Sequence, residues 1–320
     1  LHVRSRRQRQ MCIRDRRYGW RPNPDNIFAV ADVVRGVTLA VERFTRPDSA
    51  IVVPTPAYMP FFQVGPALGR ETVCIPTLAD GPDLSALERA FADGAGCLIL
   101  CNPNNPLGFT YSPEKLREIT DLAARFGARI ISDEIHGPVV LNGTHTPTAS
   151  VSDTAAAVTI TVTATSKGWN TAGLKCAQII FNDEDAKTWL ELPFIVREGA
   201  SILGVAAATA AYRDGVPWLD NFVNVLRTNR ETLRTRLSTI APQARFTPPQ
   251  ASFLAWLDLG DVPGVDSDDP AAWLVENAKI ALTPGFAFGE AGPGHVRLNF
   301  ATSPEILSEA LDRLDAALRL

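Results

Sequence analysis

Five short runs constrain this chain more than anything else in it: AIVVP (residues 50–54), CLILC (97–101), ARIIS (128–132), AVTITVT (157–163) and AQIIF (177–181). Most are apolar or β-branched throughout, without the in–out alternation of a half-exposed strand. They therefore read as strands buried on both faces. Between them lie segments with helical spacing, such as DLSALERAFAD (83–93) and SPEKLREITDLAARFG (112–127). Asp83 and Ser112 are N-cap candidates, Pro113 suits a first helical turn and Gly127 a helix end. Strands alternating with helices predict an α/β fold, a three-layer arrangement with a mainly parallel sheet between helices.

Beyond this pattern the chain changes character. GVPWLDNFVNVLRTNRETLRTRLSTI (215–240) predicts a long helix, and ASFLAWLDL, KIALTPG, HVRLNF and a terminal helix follow. That is the pattern of a smaller C-terminal α+β domain. The expected boundary is near Asp214, giving a large domain over residues 17–214 and a small one over 215–320.

The first sixteen residues stand apart, with six arginines and one aspartate; without them the net charge of −4 becomes −9. An acidic body argues against nucleic acid as a partner. The RRQRQMCIRDR segment shows no apolar period, and residues 1–16 read as a non-native or artefactual basic extension. The chain has no stretch of 18 apolar residues, so no transmembrane helix is expected. Its five cysteines are odd in number and form no CxxC or zinc pattern. That favours a reducing, cytoplasmic setting without a structural metal, and Cys97 and Cys101 read as small core residues of a strand.

In parallel α/β sheets ligands gather at the carboxyl ends of strands. The unusual polar residues fall there. CLILC runs into Asn102-Pro103-Asn104-Asn105-Pro106, ARIIS into Asp133-Glu134-Ile135-His136, TITVT into Ser166-Lys167, and AIVVPT into Pro56-Ala57-Tyr58. An amine, a carboxylate with an imidazole, an amide and a phenol would converge on one crevice. These groups suit pyridoxal 5′-phosphate: an amine to form an imine with its aldehyde, a carboxylate for its ring nitrogen, an amide for its phenolate oxygen, an aromatic ring for its face. A helix N-terminus suits its phosphate.

CNPNNPLG, SDEIH and SKGWNTAGLK, in that order, resemble the fold-type I pyridoxal-phosphate enzymes of the class I/II aminotransferase superfamily. PAYMPFF, SFLAWLDL, LTPGFAFG and HVRLNF bring the resemblance closer to its cystathionine β-lyase, or C–S lyase, branch. The resemblance runs from about Tyr18 to Leu320. It implies that Lys167 bonds to the cofactor and later moves the substrate Cα proton. Asp133 would pair with the pyridine nitrogen and Asn105 with the phenolate oxygen. His136, where many relatives carry tyrosine, would lie near that same oxygen. Tyr58 would stack on the ring. Val33 and Val34, at a helix start, would cradle the phosphate with Lys175, eight residues after Lys167. Arg297 would hold the substrate carboxylate, and Ser166 and Gly168 would leave room for the ring. The resemblance also implies a homodimer, and an N-terminal part of the large domain missing from this chain.

Plainer readings stand beside these. Lys167 and Lys175 are also what solvated loops contain, Asn105 is ordinary turn chemistry, Tyr58 could pack a core, and His136 could end a strand with its hydrogen bonds satisfied. For the reaction, the resemblance implies α,β-elimination from cystathionine or a cysteine S-conjugate, giving thiol, pyruvate and ammonia. A pyridoxal-phosphate-dependent aminotransferase would use the same residues. A non-catalytic regulatory or binding protein on this scaffold is the third expectation.

Overall fold

The computed structural model describes residues 17–319. The basic extension expected at residues 1–16 lies outside the described residues. The central sheet has eight strands: β1 (Ile27–Val30), β2 (Ile51–Thr55), β3 (Thr72–Leu78), β4 (Gly81–Pro82), β5 (Cys97–Cys101), β6 (Arg129–Asp133), β7 (Thr159–Ala164) and β8 (Ala177–Ile180). Their order is β1-β8-β7-β6-β5-β2-β3-β4. Strands β3, β2, β5, β6 and β7 are mutually parallel, while β8 runs against both β7 and β1. The mainly parallel sheet read from the apolar runs is therefore present, with β8 as an antiparallel insertion.

Strand alternation sorts the sheet's residues onto two covered faces. Cys97, Ile99 and Cys101 of β5 pack with Val33, Val37 and Val41 of helix α1 (Val33–Phe44). Leu98 and Leu100 pack on the other face with Leu87 and Phe91 of α2 (Leu84–Ala92) and Leu116 and Ile119 of α3 (Pro113–Arg125). Ala155 of α4 (Asp153–Val158) joins the same face. Burying both faces is what lets these strands be apolar throughout. The helix signals read from the sequence are met: Asp83 accepts from the amides of Ser85 and Ala86, and Ser112 accepts from Lys115. Each such cap stabilises its helix by about 1 kcal/mol.

A second, antiparallel sheet contains β9 (Arg245–Phe246), β10 (Leu254–Asp258), β11 (Thr283–Pro284) and β12 (His295–Asn299), in the order β11-β12-β10-β9. Helices α6 (Val216–Ile240) and α7 (Pro304–Leu318) accompany it, and α5 (Ile202–Asp214) leads into α6. Leu226, Leu233 and Leu237 of α6 pack with Leu307, Leu311 and Leu314 of α7. Val139, Leu141 and Trp169, from the central-sheet half of the sequence, join that cluster. Within KIALTPG only the Thr283–Pro284 pair is a strand. Leu274–Ala278 is a π-helical turn, Lys279 adopts φ 56°, and only Thr283–Pro284 pairs with β12. The apolar residues Ile280 and Leu282 are used for packing on the second core, not for a ladder.

Candidate active site

The sheet brings its polar strand ends to one edge. Cys101 is level with Asp133, and Asp133 with Val162, so β5 and β6 end together and β7 two residues further along the same edge. The chain leaves these strands into the loops holding Asn105, His136 and Lys167. Strand β1 ends at the same edge, because it pairs with antiparallel β8 in the register Val30 to Ala177. Helix α1 therefore begins there, and Lys175, just before β8, lies beside it.

Lys167 follows β7 in a turn closed by the Trp169 amide donating to Thr165 O at 2.8 Å. Its half-buried ammonium lies 6.0 Å from the centroid of the Phe253 ring. Burial, then the charge of Arg297, holds the amine below the ordinary lysine range, while Asp133 acts the other way. Asp133 is 3% exposed. One carboxylate oxygen accepts from the Ile135 amide at 3.0 Å, and among the described residues it has no ion-pair partner. Burial pushes its carboxyl up to about 7 despite that bond and Lys167. His136 is buried too, with Nδ1 lacking a partner among the described residues. Its imidazole is pushed down to about 3, first by burial and then by the charges of Lys167 and Arg297, so it is neutral at pH 7.

Arg297 reaches the edge from β12. Its Nη1 donates to Asn105 Oδ1 at 3.1 Å, its guanidinium lies 4.8 Å from the Phe288 ring centroid, and its Nε has no partner among the described residues. Burial lowers its pKa, and no carboxylate compensates it among the described residues. Tyr58 packs edge-on against Phe61 at 5.6 Å. Burial, then the charge of Asp133, raises its phenol. Ser166 is half-buried and makes no protein hydrogen bond among the described residues.

The amides of Val33 and Val34 open helix α1 ahead of its first intrahelical bond, from Gly36 to Asp32 O. Asp32 caps the helix by accepting from the Arg35 amide at 2.8 Å, and its other oxygen meets Lys175 Nζ at 2.9 Å. Lys175 is thus at the helix start, but it is engaged by a carboxylate that the motif reading overlooked. The Asp-Val-Val-Arg order was the available signal. Phe253, beneath Lys167, carried no comparable signal, since an aromatic in a strand usually means core.

One expectation needs correcting. Gly168 does not clear space for a ring: a Cβ there would meet Pro138 Cβ at 3.0 Å and Leu219 Cδ1 at 3.5 Å. Its small size serves packing against α6 and the 136–139 turn.

The donor set fits pyridoxal phosphate. It offers a half-buried amine, a helix N-terminus beside a lysine and, among the described residues, a buried carboxyl without an ion-pair partner and an imidazole nitrogen without a hydrogen-bond partner. Arg297 adds an uncompensated cation suited to a carboxylate.

Comparison with known proteins points the same way. The family model described as aminotransferase class I and II matches residues 28–314. Cystathionine beta-lyase of Corynebacterium glutamicum is 48% identical over 305 residues, 95% of this chain and 81% of that protein. A solved structure from Corynebacterium diphtheriae, provisionally assigned as a pyridoxal-phosphate-dependent beta-cystathionase, superposes with TM-score 0.95 at 46% identity, covering 98% of this chain and 83% of that one. The pyridoxal-phosphate-bound C–S lyase of Staphylococcus hominis gives TM-score 0.89 at 27% identity, covering 98% and 82%.

Proposed function

The chain belongs to the aminotransferase class I and II family, and from that membership we propose that it is a pyridoxal-phosphate-dependent carbon–sulfur β-lyase. Its substrate is an L-amino acid carrying sulfur at Cβ, such as cystathionine or a cysteine S-conjugate. With one water consumed, the products are a thiol, pyruvate and ammonia. Bound pyridoxal phosphate supplies an electron sink for the pair left at the substrate Cα.

The chain's own residues do the rest. Lys167 would anchor the cofactor until the substrate amine displaces it, and its freed amine, held below the usual lysine range by burial and Arg297, would then take the Cα proton. Asp133 holds the proton on the ring nitrogen; a cation there is the partner that its buried carboxyl lacks. Asn105 and neutral His136 bond the phenolate oxygen without adding charge. Tyr58 covers the ring. The amides of Val33 and Val34, with Lys175, take the phosphate. Arg297 orients the substrate carboxylate from β12. Residues 17–214 form the cofactor domain and 215–320 the small domain in this reading.

The observation that carries the proposal is the convergence of Lys167, Asp133 and Arg297 from the loop after β7, from β6 and from β12: the charges of Arg297 and Asp133 act on Lys167, and that of Lys167 on Asp133. The test is pyruvate release from cystathionine by the cofactor-loaded protein, lost in Lys167→Ala. Amino-group transfer to a keto acid without pyruvate release would favour an aminotransferase instead.

The reading extends to a homodimer in the cytoplasm. Phe194, Ile195, Ile202 and Leu203 are 68–85% exposed, an apolar surface unusual for a monomer. Sedimentation comparing the wild type with Ile195→Asp tests this, the variant being expected to shift toward monomer. Among the described residues no helix is long and apolar enough to cross a membrane.

A further inference from the structure

Glu134 and His145 are both buried, at 1% and 2% exposure, and neither has a part in the chemistry above. Glu134 Oε2 lies 3.1 Å from His145 Nε2. Its other oxygen, Oε1, accepts from the Thr148 amide at 2.9 Å and from Ser132 Oγ at 3.2 Å. A side chain that only accepts, with three donors around it among the described residues, is the arrangement a carboxylate needs to stay buried. Nε2 of His145 then carries the proton.

The network continues to a second strand end. Asn102 Nδ2 donates to Thr148 Oγ1 at 3.0 Å. That leaves the Thr148 hydroxyl to donate to Ser132 Oγ at 2.8 Å, and Ser132 to donate to Glu134. Asn102 lies three residues before Asn105. The backbone of Glu134 is held as well: its amide donates to Val162 O at 2.8 Å, and its carbonyl accepts from Thr163 Oγ1 at 3.1 Å and the Gly137 amide at 3.0 Å. His145 packs so closely on Gly137 that a Cβ there would come within 2.9 Å of its ring.

We propose that Glu134 and His145 are positioning residues of the site, jointly fixing the 133–137 turn that presents Asp133 and His136 to the cofactor. The Ser132 Oγ bond to Glu134 Oε1 puts these two side chains on one side of the chain, opposite Asp133, which alternates with Ser132 along β6. The pair therefore grips the turn from behind. Glu134 also puts a negative charge next to Asp133, which Lys167 faces from the loop after β7, Cys101 from β5 and Tyr58 from the loop after β2. His136 faces Lys167 and Arg297.

This inference rests on the cofactor reading, and its test separates the two. Wild type, Glu134→Gln and His145→Gln are titrated with pyridoxal phosphate, following the Lys167-dependent visible absorbance for apparent Kd and pH midpoint. Glu134→Gln is expected to weaken cofactor binding by roughly tenfold or more. It should also lower the pH midpoint by about half a unit, because a negative charge near the protonated site is gone. His145→Gln is expected to weaken binding by a smaller factor, and its binding decides the question if Glu134→Gln does not fold. A wild-type band with both variants unmoved in Kd and midpoint overturns the inference alone. Lower thermal stability with unmoved Kd and midpoint overturns it equally. No band in the wild type overturns the cofactor reading, and this inference with it.

Discussion

Arg297 Nη1 donates to Asn105 Oδ1 at 3.1 Å across 192 residues of sequence. This bond ties β12 of the second sheet to the loop after β5. It orients a guanidinium whose positive charge has no carboxylate beside it among the described residues. The arrangement is one in which a substrate carboxylate supplies the missing partner.

Arg297→Lys keeps the charge but loses the planar fork, so it is not a conservative change here. It is expected to raise KM for cystathionine and to lower kcat/KM by roughly 10²-fold, the scale of a broken charge-assisted pair. Steady-state kinetics with the cofactor band intact checks this. Unchanged KM would remove Arg297 from the substrate site.

Asp133 yields a pH prediction for the ligand-free chain. Its value of about 7 lies above the ordinary 3.8, so the folded state binds more protons than the unfolded state between those values. Stability contributed by this group therefore falls as pH rises from about 4 to 7. His136, pushed down to about 3, has the opposite slope between about 3 and 6.5, its neutral form being the favoured one. The two nearly cancel in the wild type, so the difference between variants is what to measure. Asp133→Asn is expected to stabilise the ligand-free chain by on the order of 2–4 kcal/mol at pH 8 and by little at pH 4. It should also hold pyridoxal phosphate less tightly. Denaturant melts across pH check the first effect and cofactor titration the second. A pH-independent difference would mean that Asp133 is not held protonated by burial.

Lys175 and Asp32 form a coupled pair at the start of α1. Lys175→Met is expected to weaken cofactor affinity about tenfold or more, because it removes a phosphate cation and leaves the Asp32 charge uncompensated. Adding Asp32→Asn should recover part of the loss, since asparagine still caps the helix. The four dissociation constants of this double-mutant cycle give the coupling. Additive effects would separate Lys175 from the phosphate corner.

Much of this architecture was legible in the sequence, because buried strands and capped helices leave local marks. Ser112, Pro113 and Gly127 bound their helix where those residue types should. Lys167, Asp133, Asn105 and Arg297 stood in ordered motifs; the parallel register of β5, β6 and β7 brings the first three to one edge, while Arg297 arrives from the second sheet through its bond to Asn105. The hidden parts depend on long-range packing. Asp32 engages Lys175 only because β8 folds back beside β1. Glu134 and His145 meet only through the 137–145 loop. Gly168 faces Pro138 and Leu219, a contact that no motif encodes. In KIALTPG the left-handed Lys279 and the packing of Ile280 and Leu282 leave only Thr283–Pro284 to pair with β12.

The central claim is that Lys167 covalently anchors pyridoxal phosphate at the end of β7. Its most direct measurement is the visible absorbance of the purified chain titrated with pyridoxal phosphate, wild type against Lys167→Ala. The account predicts a saturable band in the wild type that Lys167→Ala lacks. No band in the wild type, or one that survives in Lys167→Ala, would contradict it.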